Sequence, residues 1–212
     1  MNIITISREF GSGGRELGKR LADILGYDYY DKEIISTIAQ RHGLDENYVE
    51  HTLSTPSFYQ TPLTFKHSFT SPLYVSTPKT SLLLEQKRVI DEIAKRGKDF
   101  IIVGRNADVL LREYNPFNIF VCASMDDKIQ RCLDRAEENE SLSAKDIKRK
   151  IQRIDKNRKH TRFVLSQKDW GHRETYNVIV NTTGWDIKEL SKSVATMCVS
   201  WFSTHQKENG ND

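Results

Sequence analysis

Cysteine is scarce and unpatterned: Cys122, Cys132 and Cys198 are odd in number and far apart, with no Cys-x-x-Cys pair. Neither a disulfide framework nor a zinc site is indicated. No stretch approaches the roughly 20 consecutive apolar residues of a membrane span. The amino terminus opens on the strand-like Ile3-Ile4-Thr5-Ile6 instead of a secretory leader. The expectation is a cytoplasmic protein with no membrane partner. An excess of one charge is missing too: the net charge is +3 although 29% of residues are charged. Such a chain is no general nucleic-acid binder, and local clusters of Arg and Lys matter more than the overall balance. His42, His51, His67, His160, His172 and His205 show no ligand spacing, and no nucleophile-elbow sequence accompanies them. No internal repeat is evident.

What the chain does have is alternation. Its 212 residues suit one core domain with inserts. Short apolar runs at Ile3–Ile6, Phe100–Val103, Ile119–Cys122 and Val178–Val180 are separated by stretches with helical spacing. This order predicts an α/β fold with a parallel sheet covered by helices. Leu17, Leu21, Ile24 and Leu25 share one helical face that Gly26 ends, and Tyr27–Tyr30 reads as the next strand. A second helix is expected from about Asp31 to Arg41, with Asp31 as its N-cap and Gly43 closing it.

The composition then changes. Pro56, Pro62, Pro72 and Pro78 fall among Ser, Thr and aromatic residues between Ser54 and Thr80, which marks roughly residues 42–80 as a substrate-covering insert. Leu82, Leu83, Val89, Ile90, Ile93 and Ala94 restore a helical stripe ahead of Phe100–Val103. Residues of about 125–172 are highly charged, and Ser143 followed by Asp146 is a helix-start signal, so this region reads as a projecting helical hairpin or lid. Ile187, Leu190, Val194, Cys198, Trp201 and Phe202 form the face of a final helix, followed by a polar tail at 206–212.

The segment Arg8-Glu9-Phe10-Gly11-Ser12-Gly13-Gly14-Arg15-Glu16 lies between the first strand and the first helix. Glycines there let successive N–H groups converge on phosphate oxygens, and the helix start adds positive potential. The complete Gly-x-x-x-x-Gly-Lys-Ser/Thr pattern is absent, because Gly14 stands where its lysine would be.

On these residues the chain resembles the cytidylate kinase-like family, a branch of the P-loop nucleoside monophosphate kinases. Gly11-Ser12-Gly13-Gly14-Arg15-Glu16-Leu17 through Tyr27-Asp28-Tyr29-Tyr30-Asp31 is similar to that family's loop, helix and second strand. Val103-Gly104-Arg105-Asn106-Ala107-Asp108 resembles its Gly-Arg-Asp segment, Asp155-Lys156-Asn157-Arg158 its Asp-x-x-Arg, and Asn181-Thr182-Thr183 the end of its last core strand. The resemblance implies a three-layer P-loop NTPase fold with about five parallel strands, a substrate-covering insert and a helical lid. It implies ATP and Mg2+ as cofactors, CMP or dCMP as acceptor, and transfer of the ATP γ-phosphate.

Roles are expected partly from the resemblance and partly from the chain's own residues where it departs from the family pattern. Phosphate binding falls to Arg8, Gly11, Ser12, Gly13, Gly14, Arg15 and Glu16, with Arg15 or Arg8 supplying the charge of the missing lysine. Glu16 takes the hydroxyl position and is the candidate Mg2+ ligand; the alternative for Arg15 and Glu16 is a solvated first helical turn. Arg105, Asp108, Asp155, Arg158, Asp31 and Lys32 are the acceptor-side candidates, and Arg131 and Arg153 are lid candidates for catalysis alongside Arg15. Competing readings are an intrahelical ion pair for Asp155 and Arg158, and helix capping for Asp31 and Lys32. A catalytically silent phosphate-binding regulator and a kinase for another small metabolite are the functional alternatives.

Overall fold

A computed structural model describes residues 1–54, 78–136 and 143–208; the prolines at 56, 62 and 72 of the expected insert lie outside the described residues. Five strands, β1 (Ile3–Arg8), β2 (Asp28–Tyr30), β3 (Phe100–Val103), β4 (Phe117–Cys122) and β5 (Val178–Asn181), form one sheet in the order β2-β3-β1-β4-β5. All four pairings are parallel. The helices are α1 (Gly14–Leu25), α2 (Glu33–His42), α3 (Glu46–Ser54), α4 (Pro78–Lys95), α5 (Ala107–Leu110), α6 (Met125–Leu133), α7 (Ala144–Ser166) and α8 (Ile187–Glu208). None among the described residues is long and apolar enough to cross a membrane.

The three layers follow from strand alternation. Ile4, Ile6, Ile101, Val103, Ile119 and Val121 pack beneath α1 and α8, meeting Leu17, Leu21, Leu190, Val194 and Cys198. Ile3, Phe100 and Ile102 point the other way, onto Ile34 and Ile38 of α2, Val49 of α3 and Val89, Ile90 and Ile93 of α4. β1 lies in the middle of the sheet, so the segment leaving its carboxyl end emerges at the centre of the molecule. Gly18 sets the approach of α1, because a Cβ there would lie 2.8 Å from Val103 Cγ2 and 2.9 Å from Ile6 Cδ1. Gly18→Ala is therefore expected to cost about 1–3 kcal/mol by overpacking, measurable by chemical denaturation.

Helix ends follow local chemistry. Gly26 and Gly43 close α1 and α2 in the left-handed conformation, as the sequence predicts. Ser143 caps α7 by accepting a hydrogen bond from the Asp146 amide at 3.2 Å, and Ser124 does the same for α6 with Asp127 at 3.1 Å. Pro78, expected to belong to the insert, instead starts α4, where its missing N–H costs nothing. The expected capping role of Asp31 is not observed: α2 begins at Glu33, Lys32 occupies the cap position without a side-chain bond, and Asp31 is engaged by two guanidiniums described below. The expected tail is helical through Glu208.

Candidate active site

β1 delivers Arg8 and the loop of residues 9–13, and Gly13 adopts φ 81° as the residue before α1. A glycine cap carries no side chain, so the first amides of α1 keep their donors for an outside acceptor. The loop glycines have an additional reason that sequence did not supply. A Cβ on Gly11 would meet Lys128 O at 2.9 Å, on Gly13 Ile187 Cδ1 at 2.9 Å, and on Gly14 Arg8 Cβ at 2.6 Å. Each glycine thus also makes room for protein: α6, α8 and Arg8. Ser12 is buried, its Oγ donating to Glu9 O at 2.9 Å, while its carbonyl accepts from Thr182 Oγ at 2.7 Å, tying the loop to the end of β5.

Two cavities meet at this loop. One, of about 280 Å³, is lined by Gly11, Gly13 and Gly14 with Arg131, Arg135 and Lys150. The other, of about 580 Å³, lies between α3, α4 and α7 and is lined by Glu50, Leu53, Leu83, Arg105, Arg153 and Trp170 among others. Arg8, Phe10, Arg15 and Arg158 line both.

The floor between them is a crowd of like charges. Arg8 lies in a slot that only glycine allows: a Cβ on Gly104, itself at φ 76°, would fall 1.6 Å from Arg8 Nη1. Burial, and then the nearby Arg158, hold the Arg8 guanidinium well below its ordinary pKa. Burial lowers Arg105 and Arg158 as well. Against these stands Asp31, 2.5 Å from Arg15 Nε and 3.8 Å from Arg8 Nη2, with its Oδ1 buried and lacking a hydrogen bond. Glu50 reaches Arg105 at 3.4 Å from the cavity rim. Four guanidiniums, of Arg8, Arg15, Arg105 and Arg158, thus face three carboxylates, of Asp31, Glu50 and Asp155, an excess of positive charge that favours an anion.

Arg105 reaches this floor through unusual backbone. Arg105 and Asn106 have φ 57° and 51°, a left-handed conformation that costs a non-glycine residue about 1–3 kcal/mol and clusters at functional sites. The Gln86 amide, buried, donates to Arg105 O at 3.0 Å and holds the turn.

Of the expected acceptor-side residues, Asp108, Asp155 and Lys32 are placed otherwise. Asp108 does not face the cavity: it is buried against Arg162 of α7 in an ion pair whose side chains are 2–3% exposed. Asp155 turns to the loop, accepting from the Phe10 amide at 2.7 Å, with Lys128 Nζ at 3.7 Å. Arg158, three residues on, donates to Arg8 O at 2.9 Å while still lining both cavities. Asp155 and Arg158 do pair with each other, at 3.5 Å, but their main contacts are with the loop. Lys32 is exposed on the far side of Asp31.

The magnesium expectation for Glu16 meets a similar difficulty. Arg20 Nε holds its Oε1 at 3.0 Å and Arg135 Nη2 its Oε2 at 2.7 Å, so each oxygen already has a cationic partner. Among the described residues no three His, Cys, Asp or Glu side chains gather to hold a metal. The described residues do not by themselves build a resident magnesium site. They do fit a polyphosphate: open helix amides, glycines on the loop and arginines on both flanks.

Of the lid candidates, Arg131 donates to Thr182 Oγ at 2.9 Å and Thr182 O at 2.7 Å beside the glycine loop, and Arg153 lines the larger cavity. The sequence places Thr182 at the end of the last core strand without marking it as the hub of these contacts, and Gln86 belongs to no motif. Trp170 packs edge-on to Phe120 of β4 at 5.1 Å, and a Cβ on Gly171 would touch the same ring at 3.0 Å. This fixes one wall of the larger cavity.

Solved structures share the architecture. An uncharacterized protein from Eubacterium ventriosum ATCC 27560 superposes with TM-score 0.69 at 22% identity, over 94% of this chain and 99% of that one. Shikimate kinase from Bacteroides thetaiotaomicron gives 0.55 at 14% identity, over 92% and 97%, and a gluconokinase from Sinorhizobium meliloti 1021 gives 0.53 at 12%, over 98% and 97%. None of the curated proteins matches in sequence. The fold is that of the P-loop kinases, and since the model of the cytidylate kinase-like family matches residues 3–184, the chain belongs to that family.

Proposed function

We propose that the protein transfers the γ-phosphoryl group of ATP to CMP or dCMP, giving the nucleoside diphosphate and ADP. The observation that carries this reading is the shared floor: Arg8, Arg15 and Arg158 line both the glycine-loop cavity and the larger one. A phosphoryl group must cross from donor to acceptor through one point where its charge is neutralised. In the proposed step an acceptor phosphate oxygen attacks the γ-phosphorus, the bond to the β,γ-bridging oxygen breaks, and ADP leaves with that electron pair. A phosphate acceptor is already ionised, so no general base is required. The arginines suit its charge, and Leu53, Leu83 and Trp170 offer a surface for a flat base. Magnesium enters this reading with the nucleotide, as part of the donor substrate.

Asp31 favours a second reading. Its buried Oδ1 has no hydrogen bond, and a carboxylate so placed can accept the proton of an acceptor hydroxyl. A coupled ADP-release assay on the purified full chain, with CMP, dCMP, UMP, AMP, GMP, shikimate and gluconate, separates the two. Turnover with the cytidine monophosphates is expected. Turnover confined to the hydroxyl acceptors replaces the first reading with the second. ATP-dependent thermal stabilisation without turnover on any acceptor overturns both in favour of a silent phosphate-binding regulator.

A further inference from the structure

The glycine loop has no lysine: α1 opens Gly14-Arg15-Glu16. Two lysines approach it from α6 and α7. Lys128 is buried behind the loop, its Nζ 2.9 Å from Glu9 Oε2 and 3.7 Å from Asp155 Oδ2. With two carboxylates on one ammonium, it does not line the glycine-loop cavity.

Lys150 is differently placed. It shares a helical face with Ile147, Ile151, Ile154 and Arg158, at the three- and four-residue spacings that align side chains along α7. Ile147 and Ile151 on this face are buried, whereas Lys150 itself is exposed and keeps a free stem at the edge of the cavity. It lines the cavity opposite Gly11, Gly13 and Gly14, with Nζ 6.0 Å from the centre of the Phe10 ring. The other cations there are already engaged: Arg8 and Arg15 by Asp31, Arg131 by Asp127 and Thr182, Arg135 by Glu16, and Arg158 by Asp155. Lys150 has no carboxylate within ion-pair distance among the described residues.

We propose that Lys150 is the cation the loop lacks, its ammonium binding the terminal phosphate oxygens of the nucleotide donor from α7. The inference rests on the reading of this cavity as the nucleotide site. A lysine is a compact charge on a flexible four-carbon stem, so it can reach the loop from a neighbouring helix.

The test compares the full-length wild type with Lys150→Met and Lys150→Arg, reading turnover and calorimetric binding of inorganic tripolyphosphate and of AMP. Lys150→Met is expected to lower kcat by ~100-fold or more, the scale of losing one donor to transition-state charge. Tripolyphosphate should bind ~10-fold more weakly or worse, as for loss of a charged hydrogen bond. AMP, which lacks the terminal phosphates, should bind as before, and the melting temperature should hold because Lys150 is exposed. Lys150→Arg should recover most of both losses. Unchanged kcat and tripolyphosphate affinity in Lys150→Met overturns the proposal, as does a defect confined to the acceptor KM. If the wild type turns over no acceptor, the kinase reading fails, yet the tripolyphosphate comparison still decides the role of Lys150. Failure of the wild type itself to bind tripolyphosphate overturns both.

Discussion

Replacing Arg158 with methionine is expected to lower kcat/KM by about 10²–10³-fold, the loss that follows removal of one preorganised donor to a developing charge. The effect is large because one side chain acts in two ways. Its guanidinium lines both cavities, and its Nη1 also grips Arg8 O at 2.9 Å, fixing the strand end from which the loop departs. Arg158→Lys should rescue little, since a point charge cannot hold the carbonyl and face a phosphate in one planar geometry. Stability should move the opposite way. Burial, with Arg105 and Arg15 nearby, lowers the Arg158 pKa, which means the folded protein disfavours its charged form despite the help of Asp155. The apo melting temperature of Arg158→Met should therefore hold or rise while activity falls. A parallel loss of both would place Arg158 in the structural scaffold alone.

The second large effect concerns folding. Asp108→Leu is expected to destabilise the protein by roughly 3–5 kcal/mol, because it strands the Arg162 charge in a buried setting. Arg162 is 3% exposed and lies 5.9 Å from the Tyr176 ring, with no other carboxylate at ion-pair distance among the described residues. The double variant Asp108→Leu/Arg162→Met should recover most of the loss, since it removes both charges at similar volume. Denaturant midpoints at constant m-value measure the cycle. Equal damage from the single and double variants would show that shape, not charge, holds α5 to α7.

These two residues mark where the sequence stopped being readable. All five strands were visible in it, because four are short apolar runs and the fifth follows a clear helix stop at Gly26. Both faces of the sheet are covered, so alternation was hidden inside continuous runs such as Phe100–Val103, yet length and β-branching still marked them. The glycine loop was legible for its local composition. Asp108 and Asp155 were not, because an acid's partner is chosen in three dimensions: Arg162 is far away in sequence, and so is the backbone amide of Phe10 that donates to Asp155. The resemblance located these positions in the right region and faced them toward the acceptor, whereas a nearby arginine and a free amide were stronger claimants. Asp31 shows the same logic, drawn from helix capping into the arginine floor. α3, absorbed into the expected insert, was hidden by its weak apolar pattern, with Val49 and Leu53 alone buried.

The position of Arg8 has one more consequence. It stands at the end of the central strand, hydrogen-bonded neighbours on both sides, in a notch that Gly104 leaves open. The residues that shape the rest of the larger cavity, Glu50, Leu53, Arg153 and Trp170, come from outer helices and a connecting segment. A scaffold divided in this way can change which molecule it accepts by altering its periphery, while the point of charge transfer remains anchored in the least deformable part of the chain.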